Sequence, residues 1–431
     1  MAFPPLHRRR FLKTSAALSS SLILSGPARA MSLMTSANDR INLGFIGIGM
    51  MGRSHLNAFL GQDDVQVVAV CDIEGTRRDN AHKQVESRYA ERTKSGLYQG
   101  CTAYVDFREL LQREDIDAVV IATPDHMHVI PCMMAATAGK DIYCEKPLTH
   151  SIHEGRMLVD CVRKHETVFQ TGSQQRSEFG GKFRVAAELV RNGRLGEIKT
   201  VRVGVGAPPI SCDLPAEDIP DNVNWDLWLG PAAFRPYSEI LCPKGMHKHF
   251  PAFRKYQEFA GGGLADMGAH HFDIAQWALG MDESGPVKIT PPAGGSTSGL
   301  KFTYANGVEM FHGGPSGCTF EGTEGTLYVD RGQIKSDPGT ILETPLGDAD
   351  QRVYFSDNHK RNWIECIRTR KRPICDVEVG HRSASICHLA NISYRLGETL
   401  AWNPTTERFD STEANTLLFR EPRDGWTYDM G

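Results

Sequence analysis

Asn42-Leu-Gly-Phe-Ile-Gly-Ile-Gly-Met-Met-Gly52, followed by Val65-Gln-Val-Val-Ala-Val-Cys-Asp72, decides the fold. An apolar run ends in Gly47-Ile48-Gly49-Met50-Met51-Gly52, and a second apolar run ends in a carboxylate, Asp72, twenty positions beyond the last glycine. That is the layout of a dinucleotide-binding βαβ unit. Gly47 permits the tight strand-to-helix turn, Gly49 admits a pyrophosphate close to the backbone, and Gly52 lets the helix approach its strand. The free N–H groups of the helix start then face the phosphates. Asp72 is placed for the adenosine ribose hydroxyls. Its charge would repel a 2′-phosphate, which favours NAD(H) over NADP(H), although Arg77 and Arg78 close behind weaken that preference. The competing reading is a glycine-rich turn of some other α/β protein, with Asp72 as a helix cap.

The chain has 431 residues, enough for two or three domains, and at 40% hydrophobic content it can bury a large core. Residues 1–30 differ from the rest. Arg8-Arg9-Arg10-Phe11-Leu12-Lys13 precedes a mild apolar stretch and then Ala28-Arg29-Ala30, the pattern of an export signal that resembles a twin-arginine signal cleaved near Ala30. That reading implies the twin-arginine export machinery as a partner and a periplasmic or otherwise exported location. Residues 31–38 read as a short leader. The signal carries five basic residues and no acidic one, so its removal takes the formal charge from −4 to −9. An acidic surface argues against a nucleic-acid partner. The eleven cysteines are odd in number, form no CxxC, and fall partly inside apolar runs, so most read as small buried hydrophobes.

From Asn42 to about Thr149 strands and helices alternate, as in a parallel sheet. Strands are expected at 42–46, 65–71, 117–123 and 141–144, with helices at 52–60, 76–92, 106–113 and 127–138. Thr123-Pro124-Asp125-His126-Met127-His128 falls at a strand's carboxyl end, where open α/β sheets bind ligands. Glu145-Lys146-Pro147 closes the next strand. Beyond about residue 170 the pattern becomes β-branched strands at 199–206, 300–312 and 325–329, with helices at 181–192, 264–279, 357–369 and 380–399. The fold class is therefore α/β. A Rossmann domain over 39–165 is followed by an α+β domain over 166–431 with a large, mostly antiparallel open sheet. Residues 207–260 read as a long loop region lining the cleft.

Gly261-Gly262-Gly263-Leu264-Ala265-Asp266-Met267-Gly268-Ala269-His270-His271-Phe272-Asp273 carries the most catalytic information. At about 100° per residue on one helix, Asp266, His270 and Asp273 share a face. A histidine between carboxylates can exchange a substrate hydroxyl proton. The alternative is a capping Asp266 and a structural His270. His126/His128, His247/His249 and His270/His271 show no HExxH or Cys/His arrangement, so no metal site is expected.

The glycine turn, Thr123-Pro124, Glu145-Lys146-Pro147 and Gly-Gly-Leu-x-Asp-x-Gly-x-His-x-x-Asp together resemble the Gfo/Idh/MocA oxidoreductase family, in order and spacing. The segments 225–237, 322–332 and 380–397 resemble its exported, sugar-associated branch. The resemblance implies catalytic roles for Lys146, Asp266 and His270, hydride exchange between a sugar or polyol carbinol carbon and a nicotinamide, and a dimer or tetramer built on the open sheet face. Pro147 fits a cis peptide that directs the lysine. Thr123, Pro124, His128, Glu145 and Lys146 are expected at the cofactor. Gln170, Gln174, Arg176, Trp225, Trp228, Arg254 and Asp273 are candidates for substrate contact. A soluble cofactor is scarce outside the cytoplasm, so an exported member would hold NAD(H) tightly. Two other readings remain. One is an NAD-recycling glycosidase working by oxidation, elimination, addition and reduction; against it, the family's N-acetylgalactosaminidase branch has Thr-His-Gly-Leu-Gly-Pro where this chain has Asp-Met-Gly-Ala-His. The other is a non-catalytic carbohydrate-binding relic.

Overall fold

The computed structural model describes residues 40–430, so the expected export signal and leader lie outside the described residues. Six short strands form a parallel sheet ordered β3-β2-β1-β4-β5-β6, made of Ile41–Ile46, Val65–Cys71, Thr102–Tyr104, Ala118–Ile121, Asp141–Cys144 and Phe169–Thr171 as β1 to β6. The strand order reverses between β1 and β4, which opens a crevice at their carboxyl ends. β1 and β4 are buried along almost their whole length, as a sheet covered on both faces requires. The sequence pattern omits β3 and β6 because three residues show no period.

Gly47 turns the chain from β1 into the helix Met50–Leu60 at φ +88. A Cβ there would lie 2.7 Å from the Ala122 carbonyl oxygen, and one on Gly52 would lie 2.0 Å from that of Gly47. The helix therefore closes on the β1–β4 edge only with hydrogen at both positions.

The second sheet has eight strands. Six form the path Ile334–Asp337, Thr326–Val329, Glu309–Gly322, Lys301–Thr303, Lys288–Thr290 and Leu400–Asn403. Arg408–Phe409 extends the far end, and Ile198–Gly204 pairs with Glu309–Gly322. All these pairings are antiparallel. The expected single strand over 300–312 is a hairpin. Asn306-Gly307 turns it, with Gly307 at φ +86 and the Tyr304 amide donating to the Val308 carbonyl at 2.9 Å.

The helix Gly262–Leu279 packs on this sheet between the helices Lys182–Arg191 and Val377–Leu396. Its first turn meets residues 206–209 backbone to backbone. A Cβ on Gly262, at φ +75, would come within 2.4 Å of the Pro209 nitrogen. Val377–Leu396 also packs on Ile152–Lys164 of the first lobe. The helix His359–Thr369 returns to the first core, where Trp363 is fully buried between Phe59 and Tyr143, with ring centroids 5.7 Å from each.

Residues 207–260 are more than a loop. Trp225, Trp228, Leu229, Tyr237, Leu241 and Phe259 belong to a core of their own. This segment is fastened to the first lobe by backbone bonds between Gly75 and Asn222 (2.9 Å) and between Asn224 and Ile73 (3.0 Å).

Gly52→Ala is expected to lower unfolding free energy by about 2–4 kcal/mol, read from the midpoint of a urea melt, because the clash is with backbone. Gly96→Ala, where a Cβ meets nothing within 4 Å but φ is +73, should cost about 1 kcal/mol.

Candidate active site

A cavity of about 420 Å³ runs from the glycine turn to the start of the helix Gly262–Leu279. Gly47, Gly49, Met50, Met51 and Asp72 line one end. A Cβ on Gly49 would touch nothing within 4 Å, so this backbone is open to a ligand. The Asp72 carboxylate accepts from the Ile48 amide (2.6 Å), the Glu74 amide (2.9 Å) and Arg77 Nε (3.3 Å), which ties the turn to the end of β2. The guanidinium of Arg77 also donates to the Pro243 carbonyl at 2.7 Å, so it is occupied. A glycine turn, an uncapped helix start and an acidic strand end fit the pyrophosphate and adenosine ribose of a dinucleotide.

At the other end Lys146 Nζ donates to Asp266 Oδ1 at 2.7 Å and to the Asp266 carbonyl at 3.0 Å. This joins the tip of β5 to the second turn of the long helix. The Lys146–Pro147 peptide is cis. Arg254 Nε approaches the same carboxylate at 3.6 Å. Burial opposes ionisation of Asp266, but Lys146 and Arg254 hold its carboxyl below the ordinary range. His270, one helical turn on, lines the same cavity. Its Nδ1 is enclosed without a partner, which leaves Nε2 as the nitrogen open to the cavity. Burial first, then the Lys146 and Arg331 cations, push its pKa well below the ordinary value, so the ring is neutral at neutral pH.

Glu145 lines the cavity under Lys146. His55 Nε2 lies 2.7 Å from its carboxylate, and Gln174 donates to it at 2.9 Å. Burial works against this charge, yet the His55 and Lys146 contacts draw the pKa down to about 2. Thr123, Pro124, Gln174, Trp228 and Arg254 also line the cavity.

Several expected contacts are not made. Ile48 and Gly52 do not line the cavity: the Ile48 amide is taken by Asp72, and Gly52 packs on the Gly47 carbonyl. His128 is buried behind the wall, its ring nitrogens 2.7 and 2.9 Å from the Pro147 and Thr123 carbonyl oxygens, so it braces both cavity-lining turns. Asp273 shares the angular stripe of Asp266 but is seven residues, about 10 Å, further along the axis. There it is fully buried against Arg176, with Nε and Nη2 donating at 2.8 and 2.7 Å. Arg176 stacks on Trp277 at 5.0 Å and is equally enclosed, so this pair is structural. Gln170 donates to the His359 carbonyl at 2.8 Å, away from the cavity. Trp225 stacks on Trp228 at 4.5 Å, and its indole donates to the Arg235 carbonyl.

Sequence reasoning assigned no role to His55, Asp125 and Arg331. His55 follows the glycine turn by one helical turn, but its carboxylate partner is ninety residues away. Asp125 is 5% exposed, faces the cavity and meets no other side chain within hydrogen-bonding distance among the described residues. Burial, opposed by Arg254 and reinforced by Asp266, raises its pKa to about 7. Glu378, His381 and Glu407 come close enough to share an ion, but Arg156 and Arg382 already pair with these carboxylates. All eleven cysteines are free thiols, ten of them buried.

Residues 41–173 match the model of the oxidoreductase family NAD-binding Rossmann fold, and residues 210–428 match that family's C-terminal alpha/beta domain. The chain belongs to the Gfo/Idh/MocA oxidoreductase family. It is similar to glycosyl hydrolase family 109 protein 1 of Shewanella sp. strain MR-4, 28% identical over 45% of this chain and 44% of that one. It is also similar to the alpha-N-acetylgalactosaminidase of Shewanella oneidensis, at 27% over the same shares. These matches span a little under half the length of the curated relatives. In fold it is similar to the aldose-aldose oxidoreductase of Caulobacter crescentus (TM-score 0.56, 17% identity, 84% of this chain and 99% of that one). The WlbA dehydrogenase of Bordetella pertussis, solved with NADH and UDP-GlcNAcA, is similar to the same degree (TM-score 0.56, 18% identity, equal coverage).

Two outcomes are expected. Because the native pKa of Asp125 lies above the ordinary carboxylate value, ionisation costs stability; the cost is absent below the unfolded value and complete once pH exceeds about 7. Asp125→Asn should therefore stabilise the protein more at about pH 8 than at about pH 5, by roughly 1–4 kcal/mol in paired urea melts. Arg176→Met should cost about 3–5 kcal/mol by leaving the buried Asp273 carboxyl and its neighbour Asp282 without their shared cation.

Proposed function

We propose that this chain is an NAD(H)-dependent oxidoreductase acting on a carbinol carbon of a sugar or polyol. The observation that carries the reading is the Lys146–Asp266 pair at 2.7 Å, sharing one cavity with His270 and an open glycine turn. Gly47, Gly49, Met50, Met51 and Asp72 would hold the dinucleotide, with Thr123, Pro124 and Glu145 nearer the reacting end. When bound, the nicotinamide supplies the acceptor or donor of a hydride.

The chain's own residues manage the proton and the charge. His270, neutral because it is buried beside two cations, accepts the hydroxyl proton at Nε2. The ammonium of Lys146 stabilises negative charge growing on the same oxygen. Asp266 fixes that ammonium through two contacts and leaves its second oxygen for a neighbouring hydroxyl. Glu145, held ionised by His55, sets a counter-charge beneath the lysine. In reduction His270 returns the proton.

Tight retention of the cofactor, with NAD(H) preferred over NADP(H), belongs to the same proposal. Residues 207–260 support it. Leu241, Cys242, Pro243, His247 and Phe250 add a wall to the cavity. Arg53 donates to the His247 carbonyl at 2.5 Å, and Arg77 to the Pro243 carbonyl, so the wall is fastened across the adenosine end. Because Arg77 is spent on Asp72 and on this wall, it is not available to a 2′-phosphate. The reading also includes export after cleavage near Ala30 and assembly into a homo-oligomer. The sequence match to glycosyl hydrolase family 109 supports a second reading, an NAD-recycling glycosidase.

Denatured protein should release NAD(H), identified by mass. A carbohydrate panel should change the reduced-nicotinamide absorbance. Lys146→Ala and His270→Ala should each lower kcat by about 10²–10⁴-fold with the melting profile retained. Release of p-nitrophenol from an aryl glycoside without added nucleotide would favour the glycosidase instead.

A further inference from the structure

Arg331 enters the proposed mechanism only as one of the cations beside His270, and no ligand contact has been assigned to it. It stands on the turn between Thr326–Val329 and Ile334–Asp337, at the mouth of the cavity it helps to line. The turn is built firmly. Asp330 Oδ1 accepts from the Gly332 and Gln333 amides, both at 2.7 Å, and Tyr328 donates its hydroxyl proton to Asp330 Oδ2 at 2.7 Å. The side chain is oriented as well. Arg331 Nε donates to Gln175 Oε1 at 2.8 Å, and Gln175 is buried, its own amide donating to the His270 carbonyl at 3.1 Å. One amide side chain therefore separates Arg331 from the backbone of the proposed base.

A second wall supports the guanidinium. Its carbon lies 5.1 Å from the centre of the Phe179 ring. Phe179 has φ +60, a conformation that a bulky L residue avoids unless its surroundings impose it, and it too lines the cavity.

The charges around the cavity are unequally satisfied. Asp266 is shared by Lys146 and Arg254, and Glu178 is met by Lys360 at 3.9 Å. Arg331 forms no ion pair among the described residues, and Gln175 occupies only its Nε. Both terminal nitrogens remain for a ligand. A planar guanidinium held by its Nε and by a ring face presents a two-pronged donor suited to a carboxylate or phosphate.

Resting on the oxidoreductase reading above, we infer that the substrate is an anionic carbohydrate, a sugar acid or a sugar phosphate, whose charged group is held by the terminal nitrogens of Arg331. The anion docks at the mouth while the reacting hydroxyl reaches Lys146 and His270. Arg331 thus selects the substrate and fixes its direction in the cavity.

The test is calorimetric titration of the purified protein with matched sets: glucuronate, glucose 6-phosphate and glucose, and the corresponding galactose set. At least one charged sugar should bind about tenfold or more tighter than its neutral parent. That advantage should shrink as salt rises from about 50 to about 300 mM. Arg331→Gln should abolish the advantage, and Arg331→Lys, which keeps the charge but not the fork, should restore part of it. Whether the acid or the phosphate is preferred identifies the source of the anion. Neutral sugars binding as well as charged ones would overturn the inference. So would equal losses for both in Arg331→Gln, or no binding of any charged sugar by protein with an intact melt. Absorbance of the reduced nicotinamide, followed in the same samples, reports on the redox reading separately: charged sugars that bind without changing it would refute that reading and leave the anion site standing.

Discussion

The contact between the Lys146 ammonium and Asp266 is the constraint on which the chemistry depends. The lysine ends a strand of the parallel sheet, and the aspartate opens a helix that lies on the antiparallel one. Each depends on the other because both are largely desolvated. Without Asp266 the ammonium would lose its hydrogen-bonded counter-charge and keep only Glu145 beneath it, and without the lysine the carboxylate would rely on Arg254 alone. The side chains flanking this contact follow from it. His270 is kept neutral by enclosure beside cations, and Glu145 is kept charged by His55.

What the sequence revealed depended on the range of the interaction. The glycine turn, the strand ending in Asp72 and the strand ending in Glu145-Lys146-Pro147 are encoded within a few residues, and each forms where the pattern indicated. Asp266 and His270 were legible because a helical period brings them onto one stripe. Asp273 was misplaced by the same reasoning, since an angle on a helical wheel carries no information about distance along the axis. The roles of Arg176, Gln170 and His128 were decided by partners that lie outside their local patterns: a carboxylate on another helix, the carbonyl of His359, and the carbonyls of two turns.

Residues 207–260 show the other limit. Their prolines and irregular spacing give no period, so the segment reads as loop. Yet two tryptophans stacked at 4.5 Å, with Tyr237 and Phe259 against them, make a core without long helices or strands. The result is a fixed wall over one end of the cavity, built by aromatic packing and carbonyl acceptors. The Asp330 turn achieves at the opposite mouth what this segment does at the nucleotide end.

The burial of Trp363 within the first lobe has a consequence for how such a molecule can change. A chain that leaves one lobe, builds the second and then returns to fill a hole in the first cannot be cut into interchangeable modules. A replacement nucleotide-binding half would have to offer this indole the same socket between Phe59 and Tyr143. Exchange of whole halves would therefore disturb a shared core, whereas a substitution along the cleft leaves that core untouched.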